Sequence, residues 1–61
     1  MAIYRRLIPD ARRVLRPGGL LALEIGFSQA PAVSALAATW NDLQIFPDLA
    51  GIPRVLVCEK P

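Results

Sequence analysis

A length of 61 residues allows a single small domain, and such domains usually depend on disulfides or a structural metal. Neither is expected here, because Cys58 is the only cysteine and histidine is absent, while the net charge is only +2. Hydrophobic residues make up 54% of the chain, more than a small monomer needs, so we expect further chain or a second copy to cover part of the surface. The alternative is an independent mini-domain.

The sequence predicts a protein without membrane association. No stretch approaches the roughly 20 apolar residues of a membrane span, and the basic first segment lacks the apolar core of a secretory signal. One unpaired cysteine within an apolar strand fits a reducing compartment. We therefore predict a cytoplasmic protein that binds no metal.

The first predicted element is an amphipathic helix that stops at Pro17. At about 100° per residue, its apolar side chains fall within about 140° of arc: Ile3, Tyr4, Leu7, Ile8, Ala11, Val14 and Leu15. Pro9 falls on the polar side and predicts either a bend around residues 5–9 or two short pieces on one axis. The remaining arc carries arginines, Arg5, Arg6, Arg12, Arg13 and Arg16. They face RNA or a ribosomal partner, or they form a solvated face; the lack of alternating exposed aromatics favours the solvated face.

An almost wholly apolar strand, Leu20–Gly26, follows the turn at Gly18-Gly19. Only Glu24 is polar, which is typical of a strand covered on both faces in a parallel sheet. Parallel neighbours need crossovers of a dozen or more residues, and so short a chain cannot supply many of them. The strand therefore indicates one end of a larger α/β domain.

A second helix is predicted next, capped by Ser28, with Pro31 in its first turn and Asn41 as its terminating residue. Helical spacing gives it one buried stripe, made of Ala30, Val33, Leu36, Ala37 and Trp40. A tryptophan at the end of such a stripe more often packs in the core or at a domain edge than serves as a ligand platform.

Two strands close the chain, Leu43–Phe46 and Arg54–Glu59. The six residues between Pro47 and Arg54 are too few for a crossover, so the strands must be antiparallel. The predicted fold class is α/β, in the order helix, parallel strand, helix and antiparallel hairpin.

Few residues are candidates for chemistry. A Cys/His nucleophile is excluded because histidine is absent, and Gly18-Gly19 precedes a strand, unlike a phosphate-binding glycine loop. Asp48 is expected to cap its own turn, and Arg54 either anchors that loop or faces a partner. Glu24 either lies at the edge where α/β sheets bind ligands or holds a neighbouring loop or an arginine of further chain.

Two stretches carry a resemblance to a known family. The first runs from Tyr4 to Gly26 and includes Leu-Arg-Pro-Gly-Gly and Leu-Glu-Ile-Gly, followed by Gln29; the second is Asp48-Leu-Ala-Gly with Arg54-Val55. Together they resemble the C-terminal part of the HemK-type methyltransferases, the peptide-chain release factor glutamine methyltransferases. The resemblance covers nearly the whole chain.

The resemblance implies a Rossmann-like methyltransferase sheet of seven strands. Leu20–Gly26 would be its fifth strand, Leu43–Phe46 its sixth, and Arg54–Glu59 its seventh, inserted between the other two. Residues 1–61 would then be a partial methyltransferase domain, the C-terminal third with the last three strands. Members of the family transfer a methyl group from S-adenosylmethionine to the glutamine side-chain amide in a release factor's Gly-Gly-Gln motif.

Three features of that family are missing from this sequence: the glycine-rich cofactor loop, the Asn-Pro-Pro-Tyr motif and the N-terminal substrate-binding helices. The resemblance therefore assigns no catalytic, cofactor-binding or metal-binding residue here, and Glu24, Gly26 and Phe27 would at most border the active site. We expect the isolated chain to be inactive. The alternatives are a non-enzymatic binding or dimerisation module and the tail of another S-adenosylmethionine-dependent methyltransferase.

Overall fold

The computed structural model describes residues 2–61, which form two helices packed on one face of a three-stranded sheet. The elements in chain order are α1 (Ala2–Val14), β1 (Leu20–Glu24), α2 (Ala30–Leu36), β2 (Asn41–Pro47) and β3 (Pro53–Glu59). The strand order is β1-β3-β2, and both pairs are antiparallel. The α/β class, the element order and the insertion of the last strand between the other two are thus confirmed.

Among residues 2–61, β1 has a neighbouring strand on one side only. It pairs with β3, and the amide of Ile25 still donates to the carbonyl of Arg54 at 2.8 Å before the chain enters a turn at Gly26. The strand itself ends at Glu24, short of the predicted end. Its other edge has no strand against it within residues 2–61. The predicted parallel neighbour belongs at that free edge and stays a prediction.

α1 runs without interruption across Pro9, which is exposed as predicted. Its apolar arc divides into two parts. Ile8 is buried, and Tyr4, Ala11 and Leu15 pack against the core. The other margin of the arc is exposed, with Ile3 at 73%, Val14 at 72% and Leu7 less so. Helical periodicity defines the whole arc, whereas the sheet and α2 cover only the part centred on Ile8.

The predictions for α2 are partly wrong. Ser28 does not cap it, because its backbone is in the left-handed region with φ of 66° and the helix begins after Gln29. Pro31 does lie in the first turn. The helix ends at Leu36, well before the predicted terminating residue Asn41, which is the first residue of β2. Turns follow Leu36, and the Trp40 amide donates to the carbonyl of Ala37 at 3.0 Å.

The core lies between the helices and the covered face of the sheet. Its largest fully buried side chains are Ile25, Val33, Leu56 and Cys58, and Ala37 and Trp40 are buried with them. Trp40 is therefore a core residue, as predicted. β2 begins at Asn41 rather than Leu43, because Asn41 still pairs with Glu59 beyond a shift in register between Asn41 and Gln44.

The opposite face of the sheet has no helix on it within residues 2–61. Alternation along the paired strands brings one set of side chains to this open face: Leu20, Ala22, Glu24, Gln44, Phe46, Val55, Val57 and Glu59. Leu20 remains 66% exposed there. Neither helix in the described part of the chain has the length and apolar character of a transmembrane span.

The end of β3 is tied to the exit of α1. The Lys60 ammonium donates to the carbonyl of Leu15. The backbone of Lys60 also bonds the glycine turn, accepting from Gly18 at 2.9 Å and donating to Gly19 at 2.8 Å. These contacts join the end of β3 to the exit of α1, while Tyr4 near the start of α1 contacts the other end of β1.

Candidate site at the carboxyl end of β1

The turn from β1 to α2 is closed by one side chain. The Gln29 amide oxygen Oε1 accepts from the Gly26 N–H at 2.8 Å, and the Gln29 N–H donates to the Gly26 carbonyl at 3.1 Å. A Cβ atom built on Gly26 would lie 2.6 Å from that Oε1. Glycine is therefore needed at position 26 for Gln29 to approach the backbone this closely.

Phe27 and Glu24 flank this turn. Phe27 is 73% exposed, and the carboxylate of Glu24 lies at the exposed end of β1. The ion pairs found within residues 2–61, Arg13 with Asp10 and Arg54 with Asp48, do not involve Glu24. The Tyr4 hydroxyl donates to the backbone carbonyl of Glu24 at 2.8 Å. Neither these ion pairs nor the Tyr4 contact engages the Glu24 carboxylate, and both predicted roles of this side chain stay predictions.

The loop between β2 and β3 lies at the same end of the sheet, since Glu24 is paired with Val55. Asp48 organises this loop: its Oδ1 accepts from the N–H groups of Ala50 at 2.9 Å and Ile52 at 3.0 Å, and its Oδ2 lies 3.3 Å from Arg54 Nη2. The predicted cap is confirmed, and Arg54 anchors the loop.

Hydrogen bonding perturbs the ionisation of Asp48. The N–H of Ile52 has the largest effect, and with the Ala50 N–H and the Arg54 guanidinium it lowers the pKa of the Asp48 carboxyl, against a smaller opposing effect of desolvation.

The Cys58 thiol is shifted in the opposite direction, because burial raises its pKa. A buried, protonated thiol is a poor nucleophile.

The described residues offer little catalytic machinery. Within residues 2–61, histidine, cysteine and acidic side chains nowhere gather in threes as metal ligands would. The carboxyl end of β1 presents one carboxylate, one aromatic ring and backbone groups. It can therefore form a wall of a binding site, while a complete catalytic set requires residues from elsewhere.

The chain is similar throughout its length to known proteins. It is 44% identical over 61 residues to the release factor glutamine methyltransferase of Koribacter versatilis, covering 100% of the chain. It is 52% identical over 60 residues to that of Moorella thermoacetica and 46% identical over 62 residues to that of Caulobacter vibrioides, covering 93% and 98% of the chain. The chain matches the C-terminal fragment of the release factor glutamine methyltransferases.

The match to the release factor glutamine methyltransferases confirms the resemblance drawn from the sequence. The chain spans about a fifth of the length of these relatives, 21% or 22% in the three cases. No protein-family model matches the chain, and no solved structure does.

Two residues at the carboxyl end of β1 make contacts that the sequence does not predict, Tyr4 and Gln29. The sequence places Tyr4 in an apolar stripe and at the start of the stretch that resembles the family, but it does not predict that the Tyr4 hydroxyl donates to the Glu24 carbonyl. Gln29 entered only through the resemblance, whereas the structure gives its side chain a specific contact with Gly26. The Gly-x-x-Gln spacing is compatible with a closed turn, but many other conformations share it.

Proposed function

We propose that the chain completes the methyltransferase domain of a release factor glutamine methyltransferase. Such an enzyme would transfer a methyl group from S-adenosylmethionine to the glutamine side-chain amide of a release factor. The observation that carries this proposal is the match over the whole chain to relatives bearing that name. The free edge of β1 and the open face of the sheet support it, because both are surfaces that a larger domain would cover.

The backbone of β1 has hydrogen-bonding groups available for a further strand. The Gly19 carbonyl accepts from the N–H of Lys60, which follows β3, and the Ile25 N–H donates to the carbonyl of Arg54 in β3. The backbone groups of the odd-numbered residues between them therefore also face β3. The N–H and C=O groups of Leu20, Ala22 and Glu24 consequently point to the free edge. The Glu24 carbonyl is satisfied by Tyr4, which leaves the N–H of Glu24 and both backbone groups of Leu20 and Ala22 for a parallel neighbour. Unprotected edges of this kind favour pairing with another strand.

Within the completed domain, the carboxyl end of β1 would border the site of methyl transfer. Open α/β sheets bind ligands outside the carboxyl ends of their strands, where Glu24, Gly26 and Phe27 lie. These three residues would form a wall of the site and would not perform the chemistry.

The residues of this chain do not by themselves fit S-adenosylmethionine. The single turn at Gly26 has one glycine and no cation, so it lacks the close backbone cradle of a cofactor loop. Cofactor binding is therefore assigned to the remainder of the domain, and we propose that the isolated chain is inactive. That the protein is cytoplasmic, does not associate with a membrane and binds no metal stays a prediction.

Methyl transfer in a two-piece assembly tests the proposal. The chain would be combined with the preceding part of the Moorella relative, which is 52% identical to it where they match. Radiolabelled S-adenosylmethionine and a release factor would serve as substrates. We expect label in the release factor only when both pieces are present. Turnover by the chain alone, or none by the mixture under conditions where the intact relative is active, would contradict the proposal.

A dimerisation module is the second candidate, and the free edge of β1 with the exposed Leu20 favours it. Two copies could pair through these edges and bury their open faces. Sedimentation separates the two candidates: a tight dimer in the absence of the remaining domain supports the module, whereas the fragment would bind the remaining domain in preference to itself.

A further inference from the structure

Gln29 uses its side chain in an unexpected way. It is the residue that precedes α2, yet it makes no side-chain cap to that helix. Its amide turns back instead to accept from the Gly26 N–H at 2.8 Å, while its own N–H donates to the Gly26 carbonyl at 3.1 Å. Gln29 therefore stabilises the turn that leaves β1 rather than the helix that follows.

The turn closed by Gln29 has a specific and demanding conformation. Ser28 is held at φ of 66°, in the left-handed region that residues with a side chain rarely adopt. Such backbone persists when its surroundings determine it. The two bonds between Gly26 and Gln29 enclose Phe27 and Ser28, and Phe27 is 73% exposed at the carboxyl end of β1.

We infer that Gln29 is a positioning residue, which fixes the Gly26–Gln29 turn so that Phe27 borders the site of methyl transfer. This inference rests on the proposed function. Gln29 touches neither substrate nor cofactor in this role. It acts through the backbone of Gly26, whose N–H has a partner only as long as the side chain at position 29 supplies an acceptor.

Two substitutions of similar size separate the acceptor from the bulk of the side chain. Gln29→Met keeps the length of the side chain and removes the acceptor, whereas Gln29→Glu retains an Oε acceptor. In the two-piece assembly we expect Gln29→Met to lower kcat/KM about tenfold, mainly through a higher KM for the substrate protein. Gln29→Glu should rescue most of that loss, and the midpoint of thermal unfolding should move little in either case.

A double-mutant cycle with Gly26 sharpens the test. Because a Cβ at position 26 would lie 2.6 Å from Gln29 Oε1, Gly26→Ala should displace the Gln29 side chain. The combination of Gly26→Ala with Gln29→Met should then be no worse than Gly26→Ala alone. Independent, additive losses in kcat/KM would contradict the inference, and so would equal losses for Gln29→Met and Gln29→Glu.

The failure of this inference can be distinguished from that of the proposed function. If the two-piece assembly that contains the wild-type chain transfers no methyl group, the proposed function is overturned, and this inference with it. Methyl transfer that is insensitive to Gln29→Met would overturn this inference alone. Hydrogen exchange of the Gly26 amide in the same assemblies gives a readout besides activity: faster exchange in Gln29→Met and slow exchange in Gln29→Glu support the inference, and unchanged exchange in both contradicts it.

Discussion

Asp48 and Arg54 close the loop between β2 and β3, with 3.3 Å between Asp48 Oδ2 and Arg54 Nη2. The other carboxylate oxygen of Asp48 holds the amides of Ala50 and Ile52, so that one side chain fixes both sides of the loop. Because Glu24 of β1 is paired with Val55, this loop also borders the candidate site. Its order therefore affects the hairpin and the end of β1 together.

Removal of the Asp48 carboxylate should loosen the hairpin loop. Asp48→Ala loses both amide contacts and the ion pair, whereas Asp48→Asn keeps an oxygen acceptor and loses only the charge. We expect the midpoint of thermal unfolding, measured by circular dichroism, to be highest for the wild type, lower for Asp48→Asn and lowest for Asp48→Ala. Asp10→Ala is a suitable control, since its ion pair with Arg13 is more exposed. An equal loss in the Asp10 control would contradict the special role of Asp48.

The lowered pKa of Asp48 gives the hairpin a pH dependence. A carboxyl whose folded pKa is depressed stabilises the fold fully above its unfolded pKa, and this contribution is lost as pH falls through the folded pKa. The midpoint of unfolding should therefore decline in the acid range below the ordinary carboxyl pKa. Asp48→Asn should show a shallower decline in the same titration. If the unfolding midpoints of the wild type and Asp48→Asn decline equally as pH falls, the ionisation of Asp48 does not contribute to stability.

The two faces of the sheet should respond differently to truncation. Leu56 is fully buried on the covered face, so Leu56→Ala should cost about 2–5 kcal/mol and unfold so small a chain. Leu20 is 66% exposed on the open face, and Leu20→Ala should change the stability of the isolated chain by no more than about 0.5 kcal/mol. In the assembly with the remaining domain, the same Leu20→Ala change should weaken binding. Urea denaturation and a binding titration measure the two effects.

Lys60 should stabilise the end of α1. Its ammonium donates to the carbonyl of Leu15, where the helix dipole is negative. Lys60→Met retains most of the aliphatic stem and removes the charge, and we expect a loss of about 0.5–1 kcal/mol in the free energy of unfolding. Lys60→Arg should recover part of it. An unchanged free energy in Lys60→Met, measured by urea denaturation, would show that the contact contributes nothing.

The Cys58 thiol should report unfolding. It is buried in the core, and burial raises its pKa, so little thiolate is available to an alkylating reagent. We expect iodoacetamide to modify the folded chain on the order of tenfold more slowly than the chain in urea. Leu56→Ala should react at nearly the unfolded rate, because Leu56 lies in the same core cluster. Rapid modification of the folded wild type would place the thiol at the surface.

Much of this fold was accessible from the sequence because its signals are local. Pro17 with Gly18 and Gly19 marks the end of α1, and the apolar run after it predicts β1. The loop at Asp48 was also predictable, since a short polar side chain readily bonds the backbone just ahead of it. The placement of β3 between the other strands came from the family resemblance, because no local pattern specifies which strands are neighbours.

What the sequence did not predict depends on contacts between distant or competing groups. Ser28 has the chemistry of a cap, but the closed turn at Gly26 forces it into the left-handed region and the helix begins later. Periodicity likewise put Ile3 and Ile8 on one apolar arc without saying which part of the arc meets the sheet. The contact between Tyr4 and Glu24 requires the packing of α1 across the sheet, and nothing in either residue's neighbourhood signals it.

Hydrogen exchange at the free edge of β1 tests most directly the claim that this chain completes a larger methyltransferase sheet. The amides of Leu20 and Ala22 should exchange rapidly in the isolated chain at every concentration, while those of Leu21 and Leu23, which face β3, are protected. Addition of the preceding part of the Moorella relative should protect Leu20 and Ala22 as well. Protection that rises with the concentration of the chain alone, or no protection upon that addition, would contradict the account.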